Sequence, residues 1–333
     1  MGTGHVMRCL ALAQAWQHAG GDVAFAMAQS TPAIRERIES EQIKVVAIQG
    51  VPGSAEDLQQ TIKNALLHDA QWLVVDGYHF GAHYMLELQK VRPLLAIDDN
   101  GTIEFYSAEL VLNQNVHARE EMYAKRAPGT RLLLGPRYTL LRNEFTAFQN
   151  WSRDVRERGT RVLLTMGGSD PKDLTPCILS ALTDLDDLQI RVVVGGSADN
   201  RSGVAEKAKI FPGRVSVMSD VANMAELMAW ADLAIAGAGT TCWEMCLLGV
   251  PAILVVVAEN QRFIAEYLAK IGAAVNAGPG ELIDCASIAQ TAGEILGNRD
   301  QRFKMSQSAR QLVDGKGRER VLKIMLARGA SCV

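Results

Sequence analysis

The chain has 333 residues, about twice the size of an ordinary domain, which excludes a single small module and leads to an expectation of two domains. Hydrophobic residues make up 48% and charged residues 21%, the balance of a folded globular protein rather than a disordered, collagenous or coiled-coil chain. With 34 Lys and Arg against 37 Asp and Glu, the net charge of −3 gives no electrostatic footprint for nucleic acid or an anionic membrane, so neither is expected as a partner.

The chain opens on Gly2-Thr3-Gly4-His5 and runs directly into an amphipathic helical stretch, Arg8 to His18. A glycine loop of this kind normally follows a strand, so the first strand of the first sheet is expected to be missing. Short β-branched runs then alternate with helical patterns: strands at Val23 to Ala26, Val45 to Ile48, Trp72 to Val75, Leu94 to Ile97 and Leu110 to Leu112, with a helix at Ala55 to Leu67. The series pauses in the polar stretch Glu104 to Thr130 and again between Phe148 and Gly159, where charges crowd together and a domain boundary is expected. It resumes with strands at Val162 to Thr165, Ile190 to Val194, Val215 to Val217, Leu233 to Ile235 and Ala252 to Val257. Helices are expected at Asp220 to Trp230 and Thr241 to Leu248, and a final one from Gly317 to Arg328 could pack on either domain. The pattern predicts an α/β chain of two Rossmann-like, doubly wound domains facing one cleft, residues 1–150 and 151–333.

Six cysteines without a C-x-x-C pair read as inert thiols of a reducing compartment, which places the protein in the cytoplasm. The longest apolar run, Val250 to Ala258, contains Pro251 and is far shorter than the ~20 residues of a membrane span. It reads as a buried strand, and no membrane anchor is expected.

Four constellations carry chemistry. In Gly2-Thr3-Gly4-His5 the glycines allow close backbone approach, and the helix start with Arg8 disfavours the imidazolium, as suits a general base at His5. A plain glycine turn with a helix-capping histidine explains the same residues. In Thr165-Met166-Gly167-Gly168-Ser169-Asp170-Pro171 a strand ends in a phosphate-cradle geometry with Pro171 at the first helical position. There Asp170 would repel a diphosphate and is expected to turn back and cap its own helix. In Gly239-Thr240-Thr241-Cys242-Trp243-Glu244, backbone amides and two hydroxyls suit phosphate oxygens and Glu244 suits a ribose diol, although an ordinary N-cap and capping box fit equally well. Finally, Asp76-Gly77-Tyr78-His79 and Asp98-Asp99-Asn100 stand at strand ends on the ligand-binding edge of a parallel sheet, where Asp99 reads chiefly as a loop cap. No metal motif is present: Cys242 and Cys246 lack a histidine partner, and His79 and His83 lack the Glu of H-E-x-x-H.

Taken in order, these motifs, with Leu134-Gly135-Pro136-Arg137-Tyr138-Thr139-Leu140-Leu141-Arg142 and Asn260-Gln261, resemble the UDP-2,4-diacetamido-2,4,6-trideoxy-β-L-altropyranose hydrolases of pseudaminic acid biosynthesis. The resemblance runs through nearly the whole chain. It implies a GT-B type fold with a UDP-sugar substrate and no metal or other cofactor, the second domain holding the nucleotide and water acting as acceptor with inversion. It also implies His5 as catalytic base and Gly2, Gly4, Arg8, Asp76, Tyr78, Arg142, Asn260 and Gln261 on the sugar side. Gly167, Gly168, Ser169, Gly239, Thr240 and Thr241 match the diphosphate loops, and Glu244 matches the ribose-binding residue. A glycosyltransferase of the same fold, or a nucleotide-sugar binding protein without activity, are the rival readings.

Overall fold

The computed structural model describes residues 3–168, 170–195, 201–219 and 221–329. The chain divides into two compact units, one formed chiefly by residues 5–143 together with 316–333, the other chiefly by 144–315. The division thus falls a few residues before the expected boundary at 150, and the C-terminal segment returns to the first unit.

The first unit contains α1 (Gly4–His18), β1 (Ala24–Met27), α2 (Pro32–Glu39), β2 (Lys44–Ala47), α3 (Ala55–Leu67) and β3 (Leu73–Asp76). These are followed by α4 (Ala82–Gln89), β4 (Leu94–Ile97), β5 (Leu110–Asn113) and β6 (Arg131–Leu134). All pairings are parallel, in two separate sheets of order β1-β2 and β3-β4-β5-β6. Among the described residues no strand pairs with both β1 and β3, which belong to separate sheets.

Side-chain alternation along β4 and β5 sends Leu94, Ala96 and Val111 to one face, where α3 and α4 supply Leu58, Tyr84, Met85 and Leu88. Leu95, Ile97, Leu110 and Leu112 point to the other face, against Ala11 and Leu12 of α1 and Val321 and Met325 of the last helix. A strand covered on both faces reads as a continuous apolar run, which is why Leu94–Ile97 was legible without any alternation. Leu10 and Ala13 on a second face of α1 pack with Ile38 and Ile43 and against Phe25 and Val45, so this one helix joins the two sheets. Each such fully buried Leu or Ile contributes about 1.5–3 kcal/mol.

The second unit holds β7 (Arg161–Thr165), α5 (Thr175–Thr183), β8 (Gln189–Val194), α6 (Arg201–Lys209), β9 (Val215–Ser219), α7 (Met224–Trp230), β10 (Leu233–Gly237) and α8 (Thr241–Leu248). It continues through β11 (Ala252–Val256), α9 (Arg262–Lys270), β12 (Ala274–Pro279), α10 (Cys285–Gly297) and α11 (Arg299–Arg310). Its parallel sheet has the order β12-β11-β10-β7-β8-β9. The strand order reverses between β7 and β10, which sets the ends of those two strands side by side.

The remaining helix, α12 (Gly317–Gly329), settles the open choice for the C-terminal segment, since Val321 and Met325 pack into the first unit. Two strands escape the sequence reading. β6 is a Leu-Leu-Leu run without β-branched residues, and β12 carries Gly278 and Pro279, tolerable because it is an edge strand with a bulge opposite Leu254 and Val255. Among the described residues no helix is long and apolar enough to cross a membrane.

One expectation is overturned by covalent chemistry. Cys177 on α5 and Cys285 at the start of α10 form a disulfide across a sequence separation of 108, so they are not the inert thiols the spacing implied. Spacing failed because pairing across 108 residues is set by how α5 packs on α10, not by a local motif. Cys9, Cys242 and Cys246 are free thiols.

Candidate active site

Helical spacing of three places His5 and Arg8 on one face of the first turns of α1. Opposite them stands the carboxyl edge of the first unit's larger sheet, where Asp76 ends β3 in register with Ile97 of β4. Asp98 and Asp99 follow immediately.

Arg8, only 3% exposed, presents its Nε–Nη2 edge to Asp76: Nε donates to Oδ2 at 2.6 Å and Nη2 to Oδ1 at 2.6 Å. Its remaining nitrogen, Nη1, donates to both oxygens of Asp99 at 2.8 and 3.0 Å. Such a bidentate, buried guanidinium is among the strong polar arrangements a protein can make, and removing one partner typically costs about 3–5 kcal/mol. Burial works against the charge on Arg8, but Asp76 and then Asp99 outweigh it and hold the guanidinium well above its usual pKa. Burial would likewise push the Asp76 carboxyl up, yet Arg8, by charge and hydrogen bond, and His5 hold it below the ordinary carboxylate value.

His5 Nδ1 lies 2.6 Å from Asp76 Oδ1. The ionised Asp76 can only accept, and at 2.6 Å it is the nearer of the two partners of Nδ1, while Arg8 Nη2, 3.1 Å from the same ring nitrogen, already gives a proton to Asp76 Oδ1 at 2.6 Å; Nδ1 therefore carries the hydrogen and donates it to Asp76. The tautomer is thereby assigned, and Nε2 keeps the lone pair. Tyr78, half exposed, sets its ring edge-on to His5 with centroids 5.0 Å apart and donates its hydroxyl to Asp99 Oδ2 at 3.3 Å. Cys9 Sγ approaches Asp76 Oδ2 at 3.5 Å, its thiol pushed well up first by burial and then by Asp76, so it stays protonated.

The sequence reading placed Arg8 and Asp76 among substrate contacts. The structure buries both side chains and engages them with each other and with His5. Asp99, read mainly as a loop cap, instead binds Arg8, and the capping work falls to Asp98, which accepts from Gly101 N at 2.7 Å and from Tyr106 Oη at 2.7 Å. Arg142, expected on a substrate-facing loop, is buried with Nη1 3.9 Å from Met7 Sδ of α1. Asn115 donates to Asp99 Oδ1 at 2.7 Å and was missed altogether. Gly4 opens α1, whereas Gly2 lies outside the described residues.

In the second unit, Gly167 leaves β7 with φ +87°, a conformation in which only glycine is unstrained. Gly195, following β8, packs so closely that an added Cβ would stand 2.3 Å from Gly168 O. The Asp170 carboxylate turns back as expected, accepting from Leu174 N and Thr175 N at 3.0 Å each. The helix it caps starts at Thr175, however, so Pro171 sits in the preceding turn and not at the first helical position. That turn is closed by the Asp173 N to Asp170 O bond of 3.0 Å. Ser169 lies outside the described residues.

Beside this loop, Gly237-Ala238-Gly239 leads from β10 into α8, where a Cβ added at Gly237 would stand 3.2 Å from Met166 O. Thr240 occupies the cap position in helical conformation without a side-chain cap bond, so its hydroxyl is not spent as the N-cap the sequence allowed. Thr241 opens the helix, and Glu244, half-buried, follows one turn on. Gln261, beyond β11, accepts from Val257 N at 3.1 Å, and its amide nitrogen stands 3.5 Å from a Cβ position on Gly239. Asn260 precedes it on the exposed 3₁₀ turn Glu259–Gln261. Gly167, Gly168, Gly239, Thr240, Thr241 and Gln261 are therefore gathered at the switch point of one sheet, the place where open α/β sheets bind ligands. Amides at a helix start preceded by glycines suit phosphate oxygens.

Residues 162–320 match the model of the glycosyltransferase family 28 C-terminal domain. The chain is 29% identical over 231 residues to the spore coat polysaccharide biosynthesis protein SpsG of Bacillus subtilis, covering 68% of this chain and 67% of that protein. It is 26% identical over 275 residues to the UDP-2,4-diacetamido-2,4,6-trideoxy-β-L-altropyranose hydrolase of Campylobacter jejuni, covering 82% of this chain and 93% of that enzyme. Among solved structures, MurG of Acinetobacter baumannii superimposes with a TM-score of 0.66 at 18% identity, covering 97% of this chain and 96% of that one, a likeness of fold alone. The chain thus has the GT-B type α/β fold with parallel sheets, and its second half matches the glycosyltransferase family 28 C-terminal domain.

Proposed function

We propose that the protein hydrolyses a UDP-linked 2,4-diacetamido-2,4,6-trideoxy sugar of L-altro configuration to UDP and the free sugar, a step of pseudaminic acid biosynthesis. The observation that carries this reading is the His5–Asp76 pair, in which Asp76 holds the Nδ1–H tautomer and leaves Nε2 able to accept a proton. In the proposed step Nε2 takes a proton from water as the water oxygen bonds to the anomeric carbon. The bond from that carbon to the diphosphate oxygen breaks, the electron pair leaves with UDP, and a single displacement of this kind inverts the anomeric centre. The second unit's glycine loops and the start of α8 bind the diphosphate and offset its developing charge, and Glu244 takes the ribose diol. The Campylobacter enzyme supports the choice of sugar, since the alignment with it spans 93% of its length.

A second reading is transfer of the sugar to a hydroxyl acceptor, with His5 deprotonating that hydroxyl in place of water. The match of residues 162–320 to a glycosyltransferase domain favours it. The deciding experiment supplies the UDP-sugar without any acceptor and follows UDP release and the anomeric proton by NMR. Release of free sugar in its inverted anomer supports hydrolysis; release that begins only when an acceptor hydroxyl is added supports transfer.

A further inference from the structure

The Arg8 guanidinium is shared by two carboxylates, and only one of them touches His5. Asp76 takes the Nε–Nη2 edge and meets the imidazole; Asp99 takes Nη1 and is held from behind by Asn115 Nδ2 at 2.7 Å. Asn115 is itself anchored, its backbone amide donating to Asn113 Oδ1 at 3.0 Å. Asn113 Nδ2 in turn donates to Asp99 O at 3.2 Å and to Tyr123 Oη at 2.8 Å. A hydrogen-bonded chain therefore runs from the end of β5 through Asp99 and Arg8 to Asp76 and His5, and all of these side chains are buried or nearly so.

Two consequences follow from elementary electrostatics. A guanidinium held at Nη1 cannot rotate about its Cδ–Nε bond, so the edge offered to Asp76 is fixed, and with it the position of Oδ1 against His5. A single positive charge divided between two carboxylates also leaves the cluster with one net negative charge. We infer that Asp99 is a positioning residue for His5: through Arg8 it fixes Asp76 against Nδ1, and by drawing part of the guanidinium charge to itself it lets Asp76 stabilise the imidazolium that forms as His5 accepts a proton. The inference rests on the proposed role of His5 as base. The groups against His5 are Arg8 of its own helix, Asp76 at the end of β3 and Tyr78 just beyond it; Cys9 of the same helix meets Asp76, and Asp99 is linked to the histidine through Arg8 and Tyr78.

The test is Asp99→Asn, which keeps the shape and one acceptor oxygen but removes the charge. The variant is expected to lose about tenfold or more in kcat with KM and UDP affinity unchanged, and the acid limb of its kcat/KM profile is expected to move to lower pH. Asn115→Ala, which only loosens Asp99, should shift both in the same direction by a smaller factor and serves if Asp99→Asn fails to fold. Independently of turnover, the His5 Nδ1 proton is expected far downfield in the NMR spectrum of the unmodified protein and displaced upfield in Asp99→Asn. A kcat within twofold of the original with an unmoved acid limb would overturn the inference, as would an unmoved Nδ1 proton. If the unmodified protein releases no UDP from the sugar nucleotide, the hydrolytic reading fails, and the Nδ1 resonance alone then decides whether Asp99 positions His5.

Discussion

His5 Nδ1 and Asp76 Oδ1 stand 2.6 Å apart, and the orientation of the whole imidazole hangs on that bond. A carboxylate that selects a tautomer is worth a large part of a general base's effect, because the wrong tautomer offers a proton where a lone pair is needed. His5→Ala should therefore abolish turnover while leaving UDP affinity, which the proposed mechanism assigns to the second unit, within about twofold. Asp76→Asn should lower kcat by about 10²–10⁴-fold, the usual span of general-base effects. Isothermal titration with UDP beside a UDP-release assay separates the two properties, and a His5→Ala protein that still turns over would remove the histidine from the mechanism.

The same carboxylate sets a pH dependence. Burial opposes the charge on Asp76, Arg8 prevails, and the folded-state pKa is depressed. A depressed carboxyl contributes stability that is fully present above the unfolded value of about 3.9 and is lost as pH falls through the folded value. The melting temperature of the protein should therefore drop on acidification below about pH 4. Asp76→Asn should be less stable at neutral pH, by about 3 kcal/mol, and should show a shallower acid decline. Parallel melting curves for the two proteins between neutral and acid pH would contradict this.

Glu244 offers a cleaner reading of the nucleotide. Its carboxylate lies one turn into α8, beyond the glycine loop where phosphate oxygens are expected. Hydrogen bonds to a charged group are worth about 1.5–3 kcal/mol, so Glu244→Ala should weaken UDP binding by about 10- to 100-fold. Its effect on uridine should be of similar size, whereas inorganic diphosphate should bind as before. Equal losses for all three ligands would show that the substitution disturbs the loop rather than a ribose contact.

How far the sequence reached is visible at particular residues. The strand, glycine loop and helix start around Gly239 and Thr241 were legible because every element of that turn is local, and so was the backward turn of Asp170, whose donors Leu174 N and Thr175 N lie only four and five residues on. Asp99 was not, because its partner Arg8 lies 91 residues away and only the packing of α1 on the sheet, through Ala11 and Leu12 against Leu95 and Ile97, brings the two together. The burial of Arg142 against Met7 spans 135 residues and was hidden for the same reason. Periodicity reports a residue's face; it does not report which distant side chain that face meets.

The Cys177–Cys285 disulfide ties α5 to α10 across 108 residues. Cross-linking a loop of that length restricts the unfolded chain by about 4–5 kcal/mol in the chain-entropy view, and measured values typically run about 2–4 kcal/mol. Reduction, or Cys177→Ser, should accordingly lower the melting temperature of the full chain by several degrees. Thiol titration of the denatured protein before and after reduction should show two additional thiols. Identical melting curves with and without reductant would mean that the bond contributes nothing in solution.

Gly195 supplies the most local test of the nucleotide site. It neither touches the proposed sugar nor carries a side chain, yet a Cβ there would stand 2.3 Å from Gly168 O and 2.4 Å from Gly167 O, both backbone atoms that cannot swing aside. The glycine loop after β7 would have to move, at a cost of about 1–3 kcal/mol. Amides aimed at a diphosphate lose their value when displaced by a fraction of an ångström, so Gly195→Ala should weaken UDP binding by about 10- to 100-fold. The position of Asp170 offers an internal control: its carboxylate caps Leu174 and Thr175 from the far side of the same loop, and Asp170→Asn should lower stability with a smaller effect on UDP. UDP affinity unchanged in Gly195→Ala would show that the loop between β7 and α5 does not hold the diphosphate, and the binding site would then have to be sought at the start of α8 alone.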